Sequence, residues 1–444
     1  MTYPEIVQYL GSFVDYEKAA GYPYRESLKL ERIKGFLEMR GNPQEGLRYL
    51  HIAGTKGKGS TCAFIAYILR EAGYSVGLYS SPHLSDFRER IRVLDPHPEA
   101  AGPDDPFEGM IPKDEISLLV SSLKPAVEDY NRYSKRGPLS FFELYTSMAF
   151  IYFKEKNVDF AVLETGLGGR FDATNVVNPL VAAITPISYE HTQYLGRTLK
   201  EIAFEKAGII KNNLLGVISA PQEEEAAQVI RQRCRQEGAL LYEVGRDIIY
   251  EGCEKAFDVA GALGGYAGLN IGLAGKHQLI NAAVAVAAAG LLDKHNIHIG
   301  YGAIKKGLRN TLWPARCEVI SVSPLVILDG AQNAASARAL KEAVKENFKY
   351  RKLVLVFGIS ADKDIKGVCA QIGDLAEKII LTKSVNPRAK EPELLAGYFK
   401  GKEVHITNNV KEAKVLAASI TGKEDMVLVC GSLFVAGEFR DAGV

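Results

Sequence analysis

His51-Ile52-Ala53-Gly54-Thr55-Lys56-Gly57-Lys58-Gly59-Ser60-Thr61 is the stretch from which the rest of the chain is read. An apolar run, Tyr49 to Ala53, enters a loop with three glycines and a lysine, and Phe64, Ile65, Ile68 and Leu69 follow at helical spacing. The order is strand, loop, helix. Glycines let backbone N–H groups turn inward around a phosphate, the helix start adds a positive dipole end, and Lys58 supplies a mobile charge. The expected ligand is a nucleoside triphosphate with Mg2+, contacted by Gly54, Thr55, Lys56, Gly57, Lys58, Gly59, Ser60 and Thr61. The spacing departs from the usual phosphate loop, because Gly54 and Gly57 are three apart and Gly59 separates Lys58 from Ser60. A plain glycine-rich turn between strand and helix is the competing reading.

A chain of 444 residues exceeds what one hydrophobic core usually supports, so two domains are expected. The formal net charge of +1 argues against nucleic acid or an anionic membrane as the main partner. Six cysteines are scattered without a paired spacing and read as buried thiols in a reducing compartment. Met1 to Leu10 lacks the basic start of a signal peptide and no apolar run approaches membrane-spanning length, so the expected location is cytoplasmic.

Along the chain, residues 26–40 read as a helix stopped by Gly41-Asn42-Pro43, and Ser75 to Tyr79 as a second strand ending in Ser80-Ser81-Pro82-His83-Leu84. The charge-dense Arg88-Glu89-Arg90-Ile91-Arg92 reads either as a solvated turn or as part of a loop with a magnesium ligand and an anion-binding arginine. Asp95 to Pro112 reads as an exposed loop, followed by helices over 114–133 and 141–156. The apolar run Val158 to Glu164 puts a carboxylate at the C-terminal end of a buried strand, where α/β sheets place magnesium ligands, and a glycine-rich loop to Asn175 follows. Leu180 to Ile187 delivers Ser188-Tyr189-Glu190-His191, and a histidine at the edge of a strand neighbouring Glu164 can reach a metal. A helix over 198–207 contains Lys206, and the glycine-rich 261–275 leads into an Ala/Val-rich helix.

A second series begins after Trp313-Pro314-Ala315-Arg316, with strands over 326–328, 353–357, 379–381 and 427–430, the first running into Asp329-Gly330-Ala331-Gln332-Asn333. The expected fold is α/β. A P-loop-containing, doubly wound, mostly parallel sheet domain spans 1–309, a hinge 310–315, and a smaller Rossmann-like α/β domain 316–444.

Seven motifs in order, the loop above, Ser-Pro-His-Leu, Glu-Thr-Gly-Leu-Gly-Gly-Arg-Phe-Asp-Ala-Thr-Asn, Glu-Lys-Ala-Gly-Ile-Ile-Lys, Gly-Lys-His-Gln-Leu-Ile-Asn-Ala-Ala, Trp-Pro-Ala-Arg and Leu-Asp-Gly-Ala-Gln-Asn, give the chain its resemblance. Together they resemble the folylpolyglutamate synthase and dihydrofolate synthase family of the Mur ligase superfamily, from about residue 20 to residue 440. The resemblance implies an ATP-dependent amide ligase that phosphorylates a carboxylate of dihydropteroate or a reduced folate and joins it to L-glutamate, commonly as a monomer. It implies Lys58, His191 and Lys206 as catalytic residues. Ser81, Glu164 and His191 become magnesium ligands, and Asn281, Arg316 and Asp329 become ATP contacts. Asp172 becomes a folate contact. Lys206 matches a lysine that relatives carry as N6-carboxylysine; a free ammonium, with its pKa near 10.4, would repel magnesium, whereas the carbamate is anionic.

Three positions depart from the family pattern, which usually has Asn at Lys56, Asp at Glu190 and His at Gln332. The last leaves two further readings open, a Mur-type ligase for another carboxylate and a nucleotide-binding homologue without turnover.

Overall fold

The computed structural model describes residues 1–16, 28–96 and 107–443. Contacts divide the chain into two units, 1–83 with 87–271 and 279–311, and 84–86 with 272–278 and 312–444. The main division falls between Thr311 and Leu312, but two short segments from the first part of the sequence group with the second unit, so no single cut describes it.

The first unit is built on a seven-stranded sheet of β1 (Arg48–Ala53), β2 (Val76–Tyr79), β3 (Ile91–Leu94), β4 (Phe160–Glu164), β5 (Val181–Ile184), β6 (Gly216–Ser219) and β7 (Leu241–Glu243), in the order β3-β2-β4-β1-β5-β6-β7. All pairs are parallel except β2 with β3. β1, β4 and β5 are buried almost throughout, which is why they read as apolar runs rather than as alternations. β1 lies between β4 and β5, so its C-terminal end opens at the point where strand order reverses, the place at which such sheets bind ligands. That order also corrects one expectation: the strand leading to His191 is not next to the strand of Glu164, because β1 stands between them.

The helix Lys58–Glu71 is buried from Ser60 to Leu69, and it packs where Gly307 lets the helix Tyr301–Asn310 approach. A Cβ on Gly307 would lie 2.5 Å from Ile68 Cα. The helices Lys113–Tyr133 and Phe141–Glu155 share a core with Tyr49, Ala161 and Leu163, and Ile202, Ala203, Ile209 and Ile210 pack with Ala182, Ile184 and Val217 in another.

Several expectations change here. Arg88 to Arg92 is no solvated turn, since Glu89, Arg90 and Arg92 are buried where a 3-10 turn runs into β3. Arg90 Nε donates to His83 Nδ1 at 2.9 Å, over the ring of Phe141. The described part of the loop after β3 is not merely exposed, because Ile111 is buried and donates to Ile91. The expected helix over 26–40 starts at Leu30, and its first residues lie outside the described ones. Cys253 is exposed rather than buried. The glycine-rich 261–275 is partly sheet: β8 (Ile248–Cys253), β9 (Ala256–Gly261) and β10 (Gly264–Leu269) form an antiparallel meander, hidden from the sequence pattern by exposed faces and glycines.

The second unit carries β11 (Glu318–Val322), β12 (Leu325–Leu328), β13 (Leu353–Phe357), β14 (Lys378–Leu381), β15 (Glu403–Ile406) and β16 (Met426–Cys430), ordered β11-β12-β16-β13-β14-β15. Only β11 with β12 is antiparallel. β11 and β15 are the strands the apolar runs did not reveal, because each is an edge with partly exposed residues.

Candidate functional site

β1 delivers the chain to Gly54, at φ +153°, and Gly57, at φ +84°, starts the helix Lys58–Glu71. A Cβ at Gly54 would lie 1.8 Å from Thr185 Oγ1 and one at Gly57 2.1 Å from Asn281 Oδ1, so both glycines are required by neighbours as well as by dihedral angle. Asn281, buried on the helix His277–Lys294, thus borders the phosphate loop. The amides of Thr55 and Lys56 do not turn inward. Both donate to Pro186 O, at 3.1 and 3.2 Å, and Thr55 Oγ1 is bonded to the backbone of Ser188. These bonds tie the loop to the segment after β5. The backbone donors left without an intrahelical acceptor are those of the first helical turn, Lys58 to Ser60, since Thr61 N already donates to Gly57 O at 2.9 Å.

Lys58 Nζ stands 3.9 Å from Glu164 Oε1, both side chains largely buried, and Glu164 Oε2 accepts from Ser81 N at 3.3 Å. The P-loop lysine, the β4 carboxylate and the Ser-Pro-His-Leu turn thereby meet, although Glu164 lies 83 positions beyond Ser81. Thr61 adds a buried hydroxyl with no hydrogen-bond partner among the described residues.

Lys206 is buried at the end of the helix Leu199–Lys206, and its Nζ donates to Gly54 O at 2.6 Å. Burial, reinforced by Lys58, pushes its pKa down to about 7 against the opposing pull of Glu190 and Asp172. A solvated helix lysine is excluded. Lys211 is not freely solvated either: its Nζ donates to Asn175 O at 2.8 Å and to Val177 O, and burial together with Lys34 lowers it to about 8.

Asp172 is buried and committed within its own loop, accepting from Leu167 N at 2.9 Å, Thr174 N at 3.0 Å and Thr174 Oγ1 at 2.5 Å. Burial raises its pKa against those hydrogen bonds. In this arrangement it shapes the loop after Glu164. Its partner Thr174 also meets His51 Nε2 at 2.8 Å; burial, with Lys211, pushes that imidazole down to about 3, so it is neutral. His191 is exposed at φ +52°, just ahead of the short helix Thr192–Leu195.

Sequence spacing gave no sign that Arg170 and Glu205 form a two-point ion pair, Nη2 to Oε1 at 2.5 Å and Nε to Oε2 at 3.1 Å.

In the second unit, Asp329 accepts from Cys317 N at 2.8 Å and Ala331 N at 2.7 Å. Burial raises its carboxyl and the Arg316 guanidinium counteracts this. Arg316 Nη1 donates to Ala315 O at 3.2 Å and would meet a Cβ on Gly330 at 2.7 Å. The Trp-Pro-Ala-Arg and Asp-Gly-Ala-Gln-Asn motifs are thus two sides of one structure. Gln332 is partly exposed, its N–H on Ser336 Oγ, before the helix Ala334–Asn347 capped by Asn333.

Two domain families match this chain: the Mur ligase middle domain over residues 140–289 and the Mur ligase glutamate ligase domain over 315–433. A Bacillus subtilis protein named dihydrofolate synthase/folylpolyglutamate synthase is 35% identical over 421 residues, covering 93% of this chain and 94% of that one. Mycobacterium tuberculosis folylpolyglutamate synthase complexed with ADP superposes with a TM-score of 0.85 at 28% identity, over 99% of this chain and 97% of that one. Escherichia coli FolC, solved in complex with DHPP and ADP, gives 0.81 at 30% identity, over 99% and 97%. With a P-loop, a buried lysine and a β4 carboxylate gathered at one sheet edge, and with relatives matched over nearly the whole chain, the protein belongs to the dihydrofolate synthase/folylpolyglutamate synthase family and is a Mur-type ligase.

Proposed function

We propose that this ligase uses ATP to join L-glutamate to the carboxylate of a folate-type acceptor, dihydropteroate or a reduced folate. A carboxylate oxygen attacks the γ-phosphorus, and ADP leaves. The glutamate nitrogen then attacks the acyl carbon of the acyl phosphate, phosphate departs and the nitrogen loses a proton. The convergence of Lys58, Glu164 and Lys206 on the mouth of the phosphate loop carries this reading, because phosphoryl transfer is catalysed chiefly by positioned charge. Relatives solved with ADP support the nucleotide, and the one solved with DHPP supports the acceptor class.

The donor set fits magnesium. Glu164 is a buried carboxylate, Ser81 lies beside it, and the Thr61 hydroxyl is buried without a partner, all oxygen donors of the kind a hard cation takes. Glu164 and Ser81 would hold the ion, with His191 as the expected third ligand. When bound, magnesium neutralises charge on the phosphate oxygens. Lys58 does so from the loop, where it stands beside Glu164.

Lys206 is the proposed site of carboxylation. Its lone pair attacks the carbon of carbon dioxide, an N–C bond forms, one C–O π pair becomes carboxylate charge and the displaced N–H proton goes to water. A lysine lowered to about 7 keeps a large neutral fraction near pH 7, which that attack requires. All six cysteines are free thiols, which supports a cytoplasmic location.

The direct test is ADP release measured with acceptor and glutamate each omitted in turn. Release that requires both, with pteroate or folate as acceptor, is the expected result; release indifferent to either overturns the assignment. Glu164→Gln removes an anionic oxygen at nearly constant volume and is expected to weaken Mg-ATP binding by about tenfold or more. Equal Mg-ATP affinity in calorimetry would reassign Glu164 to a structural role.

A further inference from the structure

Lys206 is held at both ends. Its Nζ bonds Gly54 O at 2.6 Å, while the backbone that carries it is the last residue of its helix, where frayed ends are the rule. That end is fastened to the loop following Glu164. Arg170 N donates to Glu205 O at 2.8 Å, the Arg170 guanidinium grips the Glu205 carboxylate at two points, and Asn175 Nδ2 spans Arg170 O and Gly208 O, both at 3.1 Å. The surfaces fit closely: a Cβ on Gly169 would lie 2.8 Å from Lys206 O, and one on Gly208 2.4 Å from Arg170 Cβ. Glu205 is buried, and the guanidinium lies over Phe171 and Phe204, at 4.2 and 4.9 Å from the ring centroids, which leaves it little freedom to turn.

We propose that Arg170 is a positioning residue: by clamping Glu205 it fixes the helix end that carries Lys206, and so holds the Lys206 amine against the phosphate loop. The proposal rests on the reading of Lys206 as a working residue of that site. The planar fork of arginine is what a two-point grip needs, and lysine cannot reproduce it. A displacement of about 1 Å at the Lys206 backbone is enough to break a 2.6 Å bond at the end of its side chain, and shifts of that size slow catalysis strongly.

The test uses the full chain in buffer purged of carbon dioxide. Limited acetylation with acetic anhydride, read by peptide mass spectrometry, gives the rate at Lys206 relative to the exposed Lys200. Arg170→Lys keeps a cation beside Glu205 but loses the fork. The double change Arg170→Met with Glu205→Met removes both charges and leaves no unpaired buried carboxylate. In each, the Lys206:Lys200 ratio is expected to rise by about tenfold, as local opening becomes easier, with the unfolding midpoint nearly unchanged. The turnover number should fall while KM for ATP moves little. An unchanged ratio in a folded variant overturns the proposal whatever happens to turnover, and the lysine variant decides if the double variant does not fold. A raised ratio with unaltered turnover upholds the clamp and instead removes Lys206 from the catalytic reading.

Discussion

Lys58→Ala lowers ligase turnover by about three orders of magnitude or more while the protein stays folded, because the change removes a positive charge aimed at the transferring phosphoryl group. The side chain is largely buried and its Nζ stands 3.9 Å from Glu164 Oε1, too far for a hydrogen bond. Thermal unfolding of the variant should therefore lie within a few degrees of the parent's. The check is steady-state ADP release at saturating ATP, acceptor and glutamate, with circular dichroism as control. Near-normal turnover would remove the loop from catalysis and leave it a glycine-rich turn.

Lys206→Ala is expected to be nearly inactive and partly rescued by small carboxylic acids, because the alanine leaves space beside Gly54 where a free carboxylate can replace the proposed carbamate. In the parent, depletion of bicarbonate and carbon dioxide should lower activity reversibly. Lowering pH through about 7 at fixed carbon dioxide works in the same direction, since protonation of the amine removes the attacking lone pair. Full activity of the alanine variant would sink the idea. An inactive variant that no carboxylic acid rescues, in an enzyme indifferent to bicarbonate, would leave Lys206 as an amine that holds Gly54 and nothing more.

Elements buried on both faces were legible in the sequence because their physics is local. The runs before Gly54 and Glu164 are apolar residue after residue, and each ends at the chemistry it presents. Edge strands gave no such signal. β11, β15 and the meander β8 to β10 expose one face or most of their residues, so no continuous apolar run marks them, even where the partner strand is the next one along the chain.

What the sequence by itself determined is the set of chemical groups and their places at strand and helix ends: the P-loop lysine, the β4 carboxylate, the lysine of the Leu199–Lys206 helix. Side-chain type and hydrophobic period suffice for that. Only the tertiary structure decided which of those groups are in reach of one another and in what state of charge. Lys200, Lys206 and Lys211 are lysines within one short segment, yet Lys206 is buried and Lys211 half-buried, each on backbone carbonyls with lowered pKa, while Lys200 is exposed. The difference comes from the loop after β4 and the phosphate loop packing over the end of that helix. Desolvation and hydrogen bonding depend on those long-range neighbours, and local sequence does not encode them.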